Sequence, residues 1–137
     1  MSDNEAAQKN VQIVQTLLAN GHAGRWDIVR PLVADDVVLH LPKGLPFGGD
    51  YRGFEGYKEI LAKIGGFFTE LKGGPREFAT VGSKVIVMTR LAGRIARNGR
   101  PISFPLTDIW EIRDGKVVEI TAFYYDTREI SAIAELS

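Results

Sequence analysis

The first half of the chain alternates helical and extended patterns. Apolar residues recur at intervals of three and four positions, which predicts helices over residues 5–20, 26–33 and 54–71. Pro31 is unfavourable inside a helix, so the bounds of the second segment stay open. Residues 36–41 are β-rich and end at a proline, where a loop rich in glycine and proline begins.

After Gly73-Gly74 the pattern changes from the helical period to that of strands. Three turn signals separate β-rich runs, and two of them, Asn98-Gly99 and Asp114-Gly115, are typical of tight hairpins. The signals predict four consecutive antiparallel strands, near residues 75–81, 84–97, 100–113 and 116–125. This order indicates an α+β fold, in which three helices from the N-terminal half wrap a curved, mostly antiparallel sheet.

The predicted strand over 100–113 has one apolar face with a single exception. Successive side chains of a strand point to opposite faces. The even positions share the face expected to be inward, and they are Ile102, Phe104, Leu106, Asp108, Trp110 and Ile112. Asp108 is the only polar residue among them, so it is the first candidate for chemistry.

The neighbours of Asp108 in the sheet follow from the lengths of the turns. A two-residue turn at Asn98-Gly99 places Thr89 opposite Asp108. For the last hairpin we expect a three-residue loop over 113–115, because it keeps the inward face of the last strand apolar. This loop places Ile120 on the other side of Asp108.

A carboxylate at this position needs a physical explanation. An unpaired carboxylate inside an apolar core is costly, so either its pKa is raised or hydrogen bonds satisfy it. One interpretation is a structural residue satisfied by Thr89, Tyr124 or a buried water. The other is an acid that keeps its proton near neutral pH and donates it to a developing oxyanion.

The two histidines are weaker candidates. His40 lies between Leu39 and Leu41, so it faces away from the core if the leucines face inward. If the strand twists near its end, His40 could reach the pocket as a general base. His22 lies in a glycine-bounded loop and is expected to be solvated. Two distant histidines without a carboxylate at a suitable spacing predict no metal site.

The outward face of the predicted sheet is too apolar for a face open to water alone. Its apolar members are Ile86, Met88, Ile109, Val117, Phe123 and Tyr125. We therefore expect a homodimer formed through the backs of the sheets. Sedimentation equilibrium that gave only monomer at micromolar concentration would contradict this expectation.

Composition narrows the class of protein. The 137 residues fit one domain over 1–137, and they include no cysteine. The 17 basic residues balance 17 acidic ones, which argues against a nucleic-acid partner. The first ten residues are polar and no apolar run is long enough to span a membrane, so we expect a cytoplasmic protein without a membrane partner.

Two pairs of segments resemble a known family. Residues 34–42 (ADDVVLHLP) and 49–53 (GDYRG) resemble the first strand and the following loop of SnoaL-like and ketosteroid isomerase-like proteins. Residues 108–118 (DIWEIRDGKVV) and 123–126 (FYYD) resemble their final hairpin. Together with the order of elements, the resemblance to this nuclear transport factor 2-like superfamily covers nearly the whole chain. It implies a cone-shaped, cystatin-like roll with a mostly apolar pocket between sheet and helices.

The resemblance carries over the family's functional residues only in part. Asp108 falls where ketosteroid isomerases keep their oxyanion-hole aspartic acid, and Tyr124 falls where an aromatic side chain lines the pocket. Their general base would fall at Leu41 and their helical tyrosine near Leu17, so their mechanism is disfavoured. Leu106 likewise disfavours the Asp-Arg-Asp set of limonene epoxide hydrolases. SnoaL-like cyclases work with one buried aspartic acid, which this chain has.

The sequence thus predicts an enzyme without cofactor or metal that performs acid/base chemistry on a small hydrophobic carbonyl compound. The reaction would be an isomerisation, a dehydration or an aldol-type cyclisation, with Asp108 as the acid, Tyr124 beside it and His40 as the candidate base. The residues expected to bind substrate are Leu41, Phe47, Tyr51, Thr89, Leu91, Phe104, Leu106, Trp110 and Ile120. The alternative is a non-catalytic module of the same fold that binds a hydrophobic ligand or dimerises, which Leu41 and Leu17 favour.

Overall fold

Helices and strands make up most of residues 2–137, the part of the chain that the computed structural model describes. In that part the helices are α1 (Asp3–Asn20), α2 (Trp26–Val29), a 3-10 helix (Arg30–Leu32), α3 (Gly53–Phe67) and α4 (Thr127–Glu135). The strands are β1 (Val33–Leu41), β2 (Gly49–Arg52), β3 (Phe68–Gly73), β4 (Glu77–Val81), β5 (Lys84–Ile95), β6 (Pro101–Arg113) and β7 (Lys116–Tyr124). The predicted α+β class is confirmed.

The strands form one curved sheet whose inner face packs against α1 and α3. The strand order is β2-β1-β7-β6-β5-β3, and β4 pairs with β5 beside this path. β1 runs parallel to β7, and the other pairings in the described residues are antiparallel. The core joins apolar side chains of α1 and α3, such as Val14, Leu17 and Ile60, to the inward residues of the sheet. No helix within residues 2–137 is long and apolar enough to cross a membrane.

The segment after α3 is a strand where the sequence pattern predicts helix. Gly65-Gly66 weakens the end of α3, and Phe68 turns into an extended conformation and is buried. Glu70 has a φ of 56° in a β3 bulge facing β5. A Cβ added to Gly93 of β5 would lie 2.8 Å from a backbone oxygen of β3, so this close approach requires glycine.

Two elements, β2 and α4, lie outside the sequence-based prediction. β2 pairs with β1, which places Tyr51 opposite Leu39. α4 begins after Asp126, whose carboxylate accepts a hydrogen bond from the backbone N–H of Glu129 at 3.0 Å. Ile130 and Ala134, four positions apart, are its buried residues, so one side of this short helix packs on the fold.

The β5–β6 hairpin is shifted by two positions from the predicted pairing. Asp108 lies opposite Val87, not opposite Thr89. The turn is longer than two residues, because the N–H of Ile95 donates to the carbonyl of Arg100 at 2.8 Å. A shift of two positions preserves the face to which each side chain points, so the predicted inward face of both strands is correct.

The β6–β7 hairpin has a two-residue turn, so the predicted three-residue loop is wrong. Asp114-Gly115 has φ values of 53° and 75°, as a type I′ turn requires. A β-bulge beyond the turn restores the apolar face that the longer loop was expected to provide. As a result Ile120 lies opposite Trp110, and Ala122 rather than Ile120 lies opposite Asp108.

The outer face of the sheet carries most of the predicted apolar residues. Phe123 and Tyr125 are 52% and 70% exposed, and Met88 is also exposed. Val117 is an exception: it is fully buried, because the bulge in β7 turns it toward the core beside β1. The homodimer through this face stays a prediction.

Candidate functional site

A cavity of about 540 Å³ lies between the inner face of the sheet and the two long helices. The helices supply an apolar wall formed by Leu17, Leu18, Tyr57, Ile60, Leu61 and Ile64. The sheet supplies the opposite wall, where inward side chains of β1, β5, β6 and β7 surround Asp108. The size suits a small organic molecule, and the lining is mostly hydrophobic, as is usual for sites that bind such ligands.

Asp108 is the one carboxylate among the described residues that line this cavity. It lies in the middle of β6, between Val87 and Ala122 of the neighbouring strands. Burial raises the pKa of Asp108 to about 7, and the positive charge of Arg76 works against this rise. Near neutral pH the carboxyl is therefore about half protonated, so it can both donate and accept a proton.

Thr89 and Tyr124, the side chains expected to form hydrogen bonds with Asp108, have different surroundings in the structure. The hydroxyl of Thr89 donates to the carbonyl oxygen of Gly74 at 3.2 Å, so it serves the loop after β3. Tyr124 lies close enough for the charge of Asp108 to raise the pKa of its phenol, although burial is the larger cause. Tyr124 therefore stays protonated at neutral pH. No side-chain hydrogen bond to Asp108 is formed within residues 2–137.

Trp110 adds a second polar group to the same face of β6. It is only 5% exposed, and within residues 2–137 its indole Nε1 has no hydrogen-bond acceptor. Leaving a buried donor unsatisfied costs about 1–3 kcal/mol. Because Trp110 lines the cavity two positions from Asp108, a ligand oxygen could accept from this N–H.

Three further polar side chains line the cavity, where the sequence pattern does not place them. His22 follows the end of α1; it is exposed, as expected, and it also lines the cavity. Desolvation lowers the pKa of His22, and the charge of Arg76 lowers it further. Arg76, from the loop before β4, lines the same cavity. Burial raises the pKa of Tyr57 to about 12, so its cavity-lining hydroxyl keeps its proton.

The sequence indicates only weakly that Tyr57, His22 and Arg76 line the cavity. Tyr57 is the one side chain with a polar tip on the apolar stripe of the predicted third helix, and this could have drawn attention to it. His22 directly follows the glycine that ends α1, a position that also suits solvent. Nothing in the sequence distinguishes Arg76 from other arginines, because its placement depends on β3, which the pattern does not predict.

His40 does not face Asp108. Its Nδ1 lies 2.8 Å from a carboxylate oxygen of Asp50, and its Nε2 lies 2.8 Å from one of Glu119. These hydrogen bonds raise the pKa of His40 and keep the imidazole on the outer side of the sheet, while Leu39 and Leu41 point inward. These contacts do not favour His40 as the base of the cavity, which its residue borders at the end of β1, so that role stays a prediction.

The residues predicted to bind substrate fall into two groups. Those that line the cavity are Leu41, Thr89, Leu91, Leu106, Trp110 and Ile120. Phe47, Tyr51 and Phe104 are buried behind it. The Tyr51 hydroxyl donates to the carbonyl of Phe47 at 2.7 Å, and the ring of Phe104 stacks on Tyr124 with centroids 5.3 Å apart. These three residues are not among those that line the cavity, and their contact with a ligand stays a prediction.

Metal ligation has no geometric basis in the part of the chain described. No group of three or more His, Cys, Asp or Glu side chains within residues 2–137 is arranged to hold an ion.

Known structures share this architecture at low sequence identity. An NTF2-like protein from Burkholderia xenovorans is 25% identical, with a TM-score of 0.87 over 94% of this chain and 98% of that one. A candidate SnoaL-like polyketide cyclase from Jannaschia sp. is 20% identical, with a TM-score of 0.81 over 96% and 95%. TerC, co-crystallised with polyporic acid, is 23% identical, with a TM-score of 0.79 over 93% and 99%.

The family assignment rests on the sequence itself. No curated protein matches the chain. Residues 14–120, from α1 into β7, match the model of the SnoaL-like domain. The match covers well over half of the 137 residues, and the fold agrees with the neighbours above. The chain therefore belongs to the SnoaL-like domain family of the NTF2-like superfamily.

Proposed function

We propose that this protein is a cofactor-independent acid/base enzyme that acts on a small hydrophobic carbonyl compound. The observation that carries the proposal is the position of Asp108, a carboxyl with a pKa raised to about 7 inside a mostly apolar cavity. A group that titrates near the working pH is suited to proton transfer in either direction. The reaction class is isomerisation, dehydration or aldol-type cyclisation, because each begins with proton transfer at or beside a carbonyl.

In this proposal one carboxyl performs both proton transfers. Protonated Asp108 donates its proton to the carbonyl oxygen, which makes the α-carbon of the substrate more acidic. The N–H of Trp110, which has no acceptor among the described residues, supplies a second hydrogen bond to the same oxygen. The resulting Asp108 carboxylate then accepts a proton from carbon, which returns the enzyme to its starting state.

The family and one similar fold are the support for cyclisation within this proposal. Among the similar folds is a candidate polyketide cyclase, and the family is that of SnoaL-like domains. An aldol-type cyclisation of a carbonyl compound fits an apolar cavity with one acid.

The second candidate function is a non-catalytic module that binds a hydrophobic ligand. It is favoured by one observation: the described lining of the cavity contains no second carboxylate beside Asp108. A binding module would take up the ligand without moving protons, and this difference is measurable.

The test is proton exchange on a probe ketone. The α-protons of 2-tetralone in D₂O at pD 7 are followed by ¹H NMR with wild type, Asp108→Asn and the exposed control Asp36→Asn. We expect exchange at least about tenfold faster than in buffer for wild type and Asp36→Asn, and the buffer rate for Asp108→Asn. Binding of 2-tetralone without faster exchange would instead support the binding module.

A further inference from the structure

One side of the cavity carries positive charge that the acid/base proposal does not use. Arg76 enters the cavity from the loop between β3 and β4, and His22 enters from the end of α1. They lie close enough for the charge of Arg76 to lower the pKa of His22 and that of Asp108. Three different segments of the fold therefore bring a guanidinium, an imidazole and a carboxyl to one space.

The guanidinium of Arg76 has no protein partner within residues 2–137. None of the salt bridges formed there involves it, and none of the side-chain hydrogen bonds does. Its Nη2 lies 3.9 Å from the position that a Cβ on Gly73 would occupy, so the guanidinium lies beside the end of β3 at the edge of the cavity. Two arginines of β5 do have side-chain partners. Arg90 donates a hydrogen bond to Ser103, and Arg94 donates one to Glu70.

A second observation points to a polar ligand in the same cavity. The Nε1 of Trp110 is buried and lacks an acceptor among the described residues. The cavity thus offers an unpartnered cation and an unpartnered neutral donor, with an apolar helix wall across from the sheet. A ligand with an anionic oxygen and a separate carbonyl oxygen would satisfy both.

We infer that Arg76 binds an oxyanion of the substrate, so the substrate is a small apolar carbonyl compound that also carries a carboxylate or an equivalent anionic oxygen. This inference rests on the proposed function, since it names the substrate class for the same cavity. Arg76 acts here in binding and positioning, while Asp108 transfers the proton.

Binding of an anion at Arg76 also changes the protonation of Asp108. Besides Asp108, the titratable residues that line the cavity are Arg76 from the β3–β4 loop, His22 after α1, His40 of β1, Tyr57 of α3 and Tyr124 of β7. The positive charge of Arg76 favours the ionised form of Asp108. A bound anion offsets that charge, so it favours the protonated form of Asp108. By linkage, protonation of Asp108 must favour the anion to the same degree.

The experiment compares two probes that differ only in charge. Binding of 2-naphthoate and of 2-naphthamide is measured by isothermal titration calorimetry at pH 7.5 with wild type, Arg76→Gln and the control Arg113→Gln. Arg113 lies at the β6–β7 turn, outside the cavity. We expect wild type and Arg113→Gln to prefer the carboxylate about tenfold, as a charge-assisted hydrogen bond provides. Arg76→Gln should lose this preference and keep its affinity for the amide.

A second measurement locates the anion. The pKa of His22 is followed by NMR with each probe bound, because an anion at Arg76 removes part of the charge that lowers it. Naphthoate should raise the pKa of His22, and the amide should not. Equal affinity for both probes in wild type, or an unchanged preference in Arg76→Gln, would overturn the inference and leave the acid/base proposal standing. Failure of both probes to bind wild type would count against both.

Discussion

The two faces of the sheet place ionisable groups in opposite environments. On the inner face, Asp108 lines an apolar cavity without a side-chain hydrogen bond in the described part of the chain, and burial raises its pKa to about 7. On the outer face, His40 lies between Asp50 and Glu119, and hydrogen bonds to both raise its pKa. Burial shifts the pKa of Asp108, whereas hydrogen-bonding partners shift the pKa of His40.

The difference shows which of the two residues is available for chemistry. His40 has the side chain that most often serves as a general base, but both of its nitrogens are occupied by carboxylates. Asp108 has a side chain that is usually ionised, but its surroundings hold a proton on it near neutral pH. Environment, rather than residue type, therefore selects the candidate catalytic group.

The largest expected effect concerns stability at the inner face. The raised pKa of Asp108 means that the folded state binds a proton that the unfolded state has released, so stability falls as pH rises from about 4 to about 7. Asp108→Asn removes this dependence. In urea denaturation, wild type should lose about 3 kcal/mol relative to Asp108→Asn between pH 4.5 and pH 8.

The control for this comparison is Asp36→Asn, because Asp36 is exposed on β1. Its stability difference from wild type should not change over the same pH range. Parallel pH profiles of wild type and Asp108→Asn would show that Asp108 is ionised and well solvated in the folded protein, contrary to the inner-face description.

A smaller effect is expected for the second polar group of the inner face. Trp110→Phe removes an N–H that is buried without an acceptor in the described residues, so stability should stay within about 1 kcal/mol of wild type. Affinity for 2-tetralone should fall about three- to tenfold, the value of one neutral hydrogen bond. Trp26→Phe, a change outside the cavity, should leave that affinity unaltered. A loss of stability without a loss of affinity would show that Trp110 only fills space.

The smallest effect belongs to the outer face. Because the pKa of His40 is raised, its ion pairs stabilise the fold below pH 6.5 and are lost as pH rises through the raised pKa. His40→Gln should therefore cost less than about 1 kcal/mol at pH 6 and nothing at pH 9, as is usual for exposed pairs. Exchange of 2-tetralone should be unchanged in this variant. A large loss of proton exchange on 2-tetralone would show that His40 takes part in the reaction.

The sequence pattern predicts the face of the sheet to which most side chains point, but it does not predict which residues pair across neighbouring strands. Alternation of apolar residues placed Asp108 and Trp110 inward and Phe123 outward, since only one face can be buried. The predicted neighbours of Asp108 are wrong, because a long β5–β6 turn and a bulge in β7 change the pairing. The predicted faces are preserved except at Val117, which the bulge turns inward. Turn length and bulges depend on tertiary packing that local signals do not contain.

The site was predictable where it lies on regular strands. Asp108 was identified as the one polar residue on an apolar face, and the inward neighbours on β5 and β6 followed from it. Arg76 and His22 come from loops whose direction depends on β3 and on the end of α1. Loop side chains have no periodicity, so no pattern in the sequence indicates which of them enter the cavity.

The pKa of Asp108 in the folded protein tests the central claim most directly. The ¹³C chemical shift of its carboxyl carbon, assigned by comparison with Asp108→Asn, is followed from pH 3 to pH 9. The environment of the inner face predicts a midpoint of about 7. A midpoint near 4, the value of a solvated aspartic acid, would contradict the assignment of Asp108 as an acid that carries its proton near neutral pH.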